Sequence, residues 1–236
     1  MNPLNNNSTS RRSGQSGLER RLALSQGVDL WLSELFGQAI GTHKTWSQDF
    51  ALVAVGSCGR RELGANSDLD LVLVHADTVT PELVAEKLWY PIWDSGVNVD
   101  HSVRTIAGAR AIAATDVKAF TGLLDARHIA GNEELTLELR GVIANDWRAT
   151  AKKSLPELFE LVAERRRNFG ELFQLIEPNI KESYGGIRDA TILSHLSATW
   201  LVDLPHTEWQ KARLFLLDVR DALAVTAKGD RLHMQS

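Results

Sequence analysis

The 236-residue chain has one cysteine, Cys58, so no internal disulfide can form and a reducing compartment is expected. No apolar run is long enough to cross a bilayer, which predicts a cytoplasmic protein with no membrane partner. The opening MNPLNNNSTSRRSGQSG lacks the apolar core of a signal peptide. An excess of basic charge is missing too: the formal net charge is -4, which argues against a nucleic-acid partner. Neither Gly-Lys-Ser nor Gly-Lys-Thr occurs, which excludes a P-loop, and G-x-G-x-x-G is absent as well. What the chain does have is 44% hydrophobic residues, enough to bury a substantial core.

The pattern of apolar residues divides the chain. Residues 1–17 are rich in Asn, Ser and Gly and are predicted to be disordered. A helix is expected over 18–40, followed by three strands: ALVAV from Ala51, DLDLVLV from Asp68 and VNVDHSV from Val97. Thr80 and Pro81 mark a helix start between the second and third strands, and Pro91 falls in its last turn. In VNVDHSV, Val97, Val99, His101 and Val103 face one way and Asn98, Asp100 and Ser102 the other. Beyond Thr105 the periodicity reads as helical: TGLLDARHIAG closing at Gly131, then 151–176 with a stripe from Leu155 to Ile176. A helix through Ile192, Leu196 and Trp200 and a last one over 207–227 complete the pattern. The order predicts an α/β (α+β) portion over 18–145 and an all-helical portion over 146–236.

The stretch GSCGRRELGANSDLDLVLVH, from Gly56 to His75, carries the chemistry. Side chains two apart on a strand share a face, so Asp68 and Asp70 project together. Two carboxylates that close raise each other's pKa unless a cation lies between them. Hard oxygen ligands of this kind suit Mg²⁺, which completes its shell with water and phosphate oxygens. Gly56 permits close backbone approach, Ser57 offers a phosphate its amide and hydroxyl, and Arg60 and Arg61 follow within reach of the same anion. The alternative is a strand start at which the aspartates cap a turn, since Asn66-Ser67-Asp68 is turn-like.

Glycine-serine, a spacer and then D-x-D on a strand resembles the signature of the DNA polymerase β-like nucleotidyltransferase superfamily. VGSCGRRELGANSDLDLVLV, WDSGVNVDHSVRT, LLDARHIAGNEEL and IEPNIKESYGGIRD, in this order over about residues 50–190, resemble the landmarks of the protein-PII uridylyltransferases. That resemblance implies a polymerase β-like domain with a small mixed sheet over 18–145 and a helical domain after it. It implies Mg²⁺-dependent transfer of a nucleoside monophosphate from UTP or ATP to a tyrosine of the signalling protein PII. The superfamily adds a third carboxylate from a neighbouring strand, which makes Asp100 the expected third metal ligand; a solvated residue on an exposed strand face is the alternative. Where the family's position before HSVRT is often glycine, this chain has Asp100, and the Val99-Asp100 pair resembles the glutamine synthetase adenylyltransferases. Adenylyl transfer to glutamine synthetase is therefore the second expectation. A partial protein that binds nucleotide or PII without turnover is the third, because no His-Asp pair of the family's hydrolase domain occurs and the sequence stops at RLHMQS.

Further residues have two readings each. Lys181 and Arg188 flank Gly185-Gly186 and suit an anion, on the nucleotide or on PII, or else belong to a helix start where Asp189 meets the helix N-terminus. Arg104 meets a phosphate or pairs with Asp125. Arg127 is expected in a structural ion pair, His101 in the core, Cys58 as a buried thiol, and Arg165 to Arg167 on a solvated face.

Overall fold

The computed structural model describes residue 4 and residues 16–41, 46–64, 67–204 and 206–226. Most of the predicted disordered tail, and Asn66 of the predicted turn, lie outside the described residues. The chain forms two compact units, one built on residues 19–144 and one from residue 145 onward.

The first unit is a mixed α/β layer. Helix α1 (Gly17–Ile40) precedes a short helix α2 (Trp46–Asp49) and strand β1 (Phe50–Ala54). A four-residue turn of helix, α3 (Gly56–Gly59), leads towards β2 (Leu69–His75); α4 (Glu82–Asp94) then crosses over to β3 (Val99–Arg104). Two short helices, α5 (Ile106–Ala113) and α6 (Val117–Leu124), precede β4 (Arg127–Gly131). The sheet order is β3-β2-β1-β4. β1 runs antiparallel to β2 and β4, while β2 and β3 are parallel, as the α4 crossover requires. This is the small mixed sheet the sequence predicts.

Strand alternation sorts the side chains. Phe50, Leu52, Leu69, Leu71 and Leu73 join Val28, Leu32 and Phe36 of α1 and Val84, Leu88 and Ile92 of α4 in one core. Val99 and Val103 pack against it, and His101 on the same face meets Trp89 tilted and Trp93 edge-on, with ring centroids 4.7 and 5.2 Å away. Thr105 and Asp116 cap α5 and α6 by accepting from the amides of Gly108 and of Lys118 and Ala119.

Three helical expectations change. TGLLDARHIAG is not one helix: α6 ends at Leu124, and Arg127–Gly131 is a strand that satisfies the otherwise open edge of β1. Short apolar runs read alike as helix or strand, and only the partner decides. The helix expected over 151–176 instead runs from Glu133 to Phe169 as α7, stopped at Gly170, whose φ is +64°. Phe173 and Ile176 thus leave the apolar stripe and are 80% and 83% exposed. In the second unit, α8 (Ile187–Ser197) ends before Trp200, which is 77% exposed, and α9 (His206–Thr226) follows. Ile180, Ile187 and Leu217 form a small core there. Among the described residues no helix is long and apolar enough to cross a membrane.

Leu73 is fully buried in a central strand. Leu73→Ala is expected to lower unfolding free energy by about 2–5 kcal/mol, read from urea denaturation.

Candidate active site

β2 and β3 bring two of the three predicted carboxylates, Asp70 and Asp100, opposite one another. In their parallel register Asp70 is opposite Asp100, and neighbouring strands lie about 4.8 Å apart, so both side chains leave the same face of the sheet. Leu69 and Leu71, on either side of Asp70, are buried in the core, so alternation turns Asp70 away from it. Asp68 lies one residue before β2, exposed, and two positions from Asp70. Asp70 is half-buried and Asp100 exposed.

The Gly-Ser turn packs directly onto this face. The Val55 amide donates to the Asp70 carbonyl at 3.0 Å. Gly56 has φ +54°, and a Cβ there would lie 2.7 Å from Asp70 Oδ2. A side chain at 56 would displace the end of the Asp70 side chain, and the positive φ there is the angle that favours glycine. Gly59 is equally confined: its Cβ would lie 2.1 Å from the carbonyl oxygen of Asp125. Ser57 is half-buried, and its hydroxyl makes no hydrogen bond among the described residues.

Arg60 is turned elsewhere than expected. Its Nε donates to Glu62 at 2.9 Å and its Nη1 pairs with Asp125. Burial alone would lower its pKa, but the carboxylates of Asp125 and Glu62 prevail and raise it. The guanidinium that was expected on a nucleotide phosphate is thus engaged by two carboxylates. This also settles the partner of Asp125: it is Arg60. Arg104, exposed at the end of β3, makes no ion pair among the described residues.

Lys181 and Arg188 belong to the second unit. Arg188 Nε donates to both carboxylate oxygens of Glu182 at 2.7 Å, closing the turn on itself. Asp189 accepts from the Gly185 amide at 2.6 Å and pairs with Arg165, so it serves the helix start. Lys181 is exposed, with its side chain unpaired among the described residues. The arginine run is paired throughout: Arg166 with Glu171, its guanidinium 4.5 Å over the Tyr184 ring, and Arg167 with Glu160.

Sequence reasoning missed Asp29. It lies on α1, and its carboxylate meets Arg127 through two bonds of 2.8 and 2.9 Å. Nothing near Asp29 in the sequence signals this, because the partners are far apart along the chain.

Among the described residues no three His, Cys, Asp or Glu side chains form a ready-made metal site. The aspartates instead offer oxygen donors beside the turn at Gly56, whose backbone passes close to Asp70. That suits a cation such as Mg²⁺, which takes one or two carboxylates and fills its shell from water and phosphate. Asp68 and Asp70 would hold it, with Asp100 alongside.

Over residues 22–90 the chain matches the family model described as glutamate-ammonia ligase adenylyltransferase. It is 49% identical over 94% of its length to the bifunctional uridylyltransferase/uridylyl-removing enzyme of Streptomyces coelicolor. The identity is 38% over 88% of its length to the enzyme of that name in Mycobacterium tuberculosis. The chain is a homologue of the bifunctional uridylyltransferase/uridylyl-removing enzymes. It spans only about a quarter of these curated relatives, 26% and 27% of their length respectively. A crystal structure described as the toxin-antitoxin with AMP-PNP covers 56% of the chain, and the chain covers 97% of it, at 12% identity and a TM-score of 0.38. The names of the relatives support nucleotidyl transfer as the class of chemistry.

Burial pushes the Cys58 thiol up to about 12, against some relief from Arg127. Native Cys58 should therefore resist alkylation at pH 8 and react only on unfolding, measured by mass spectrometry with and without urea. Because the folded value lies above the unfolded 9.0, this group's contribution to stability is complete below pH 9.0. It falls as pH rises towards about 12, and a denaturation series across that range should show the decline. Gly56→Ala should lose about 1–3 kcal/mol in the same assay at neutral pH, from the positive φ.

Proposed function

We propose that the chain is a Mg²⁺-dependent nucleotidyltransferase that moves UMP or AMP from UTP or ATP to a tyrosine of PII. The observation that carries this reading is the close approach of Gly56 to the Asp70 carboxylate, which sets a glycine-serine turn against an aspartate of β2. A bound divalent cation would screen the carboxylates from one another and offset charge on the triphosphate. Ser57, with its free hydroxyl and amide, is the phosphate-binding residue beside that centre, and Gly56 gives the triphosphate room. Asp100, opposite Asp70, is the third carboxylate. The tyrosine oxygen bonds to the α-phosphorus as the bond to pyrophosphate breaks, and its proton passes to water or a neighbouring carboxylate. Most of the acceleration would come from placing the two reactants in line. Lys181, an exposed cation of the second unit, is offered to an anion of the nucleotide or of PII. Arg188 would add to it on release from Glu182.

The acceptor follows from the resemblance to protein-PII uridylyltransferases, supported by the names of the relatives. One observation favours a second acceptor: the match of residues 22–90 to the glutamate-ammonia ligase adenylyltransferase model. Glutamine synthetase is accordingly the alternative target, with ATP as donor.

Both acceptors are offered separately with Mg²⁺ and labelled UTP or ATP. Labelling of PII is expected, reduced on the order of 10²-fold or more by Asp68→Asn or Asp70→Asn. These variants should keep the fold, checked by circular dichroism. Labelling of glutamine synthetase alone would move the reading to the alternative, and labelling of neither would sink both.

A further inference from the structure

The α3 turn is four residues long, and Val55 provides no side-chain cap. The amides of Gly59, Arg60, Glu62 and Arg61 bond the carbonyls of Val55, Gly56, Ser57 and Cys58 in turn. The Gly59 carbonyl at the exit is not among those reached by these backbone bonds and takes its donor from outside the turn. Arg127 on β4 supplies it. Its Nε donates to the Gly59 carbonyl and its Nη2 to the Cys58 carbonyl, each at 3.0 Å. The same guanidinium makes the two bonds to Asp29 of α1. Four bonds thus use both edges of the planar fork, which a lysine ammonium cannot reproduce. Arg61 adds a longer contact to Asp29 at 3.9 Å.

A second tie reaches the turn from the same side. Arg60, the residue after α3, is gripped by Asp125, which follows α6. The Asp125 backbone also packs against Gly59. The turn is therefore fastened from behind by α1 and by the segment that leads into β4, while its front meets Asp70.

We propose that Arg127, oriented by Asp29, is a positioning residue that fixes the Gly-Ser turn against Asp70 and so sets the nucleotide site. The inference rests on the nucleotidyl-transfer reading for its functional half. Its structural half stands apart from it. A turn released from Arg127 would shift Ser57 and Gly56 together relative to the carboxylate. Displacements of about 1 Å at such a site are enough to weaken function roughly 10²-fold.

The test uses the full chain with Arg127→Lys, Arg127→Met and Asp29→Asn. Hydrogen–deuterium exchange of residues 56–62 reports the turn, and equilibrium binding of Mg²⁺–UTP and Mg²⁺–ATP reports the site, both well below the unfolding temperature. Exchange in 56–62 should rise about tenfold or more in Arg127→Lys, with β2 unchanged. Nucleotide affinity should fall by about tenfold. Asp29→Asn should give a smaller change of the same sign. If Arg127→Met does not fold, Arg127→Lys decides alone, since it keeps the charge and loses only the fork. A purely structural ion pair would lower thermal stability but leave the local exchange and the affinity of the folded lysine variant at wild-type values; that result overturns the proposal. Looser exchange with unchanged affinity overturns it too. Should the wild type bind neither nucleotide, the functional reading fails by itself. Exchange then judges whether Arg127 holds the turn.

Discussion

The arrangement depends on one close approach, that of the Gly56 backbone to the carboxylate of Asp70. A half-buried carboxylate at the start of an aliphatic strand is costly unless something compensates its charge. Here the strand beyond it, Leu71 to Val74, is buried and fixes the position of Asp70 to within the precision of a packed sheet. The turn cannot move away from it without breaking the Val55–Asp70 backbone bond. The positive φ of Gly56 is what lets the backbone pass this close to the carboxylate.

Much of this was legible in the chain. Period-two alternation set Asp100 on the polar face of its strand, while Asp68, expected to share the strand of Asp70, precedes β2. The register of β2 with β3 adds what no local pattern contains, that Asp70 and Asp100 are opposite one another. Alternation with valines also anticipated that His101 faces the core side of its strand, where it is half-buried, and Cys58 is the buried thiol expected. Long-range pairs were not legible. Arg60 has a glycine-rich, phosphate-like neighbourhood in sequence, yet its charge is met by Glu62 nearby and Asp125 far along the chain. β4 looked helical because Ile129 and Ala130 are too few to set a period, and pairing with β1 decided it. Asp29 sits in an ordinary helix, and only the folded chain brings it to Arg127.

The second unit is a separate lesson in charge. Runs such as Arg165 to Arg167 and the segment KESYGGIRD suggest anion binding when read alone. In the fold nearly all of these cations have carboxylate partners within the same unit, and Lys181 is the cation left over. The exposed pair of Arg167 with Glu160 contributes little to stability, about 0–1 kcal/mol, whereas Arg165 and Asp189 are both largely buried. Homology to uridylyltransferases covers this region as well as the sheet, since the match extends over 94% of the chain.

The central claim is that metal and triphosphate meet between the Gly56–Ser57 turn and the carboxylates of Asp68 and Asp70. Crystals grown with Mn²⁺ and a non-hydrolysable UTP or ATP analogue test it most directly, because Mn²⁺ takes the same oxygen ligands as Mg²⁺ and scatters anomalously. An anomalous peak bonded to Asp68 and Asp70, with phosphate oxygens at Ser57, is the predicted result. A metal bound away from these aspartates, or a triphosphate seated elsewhere on the chain, would contradict it.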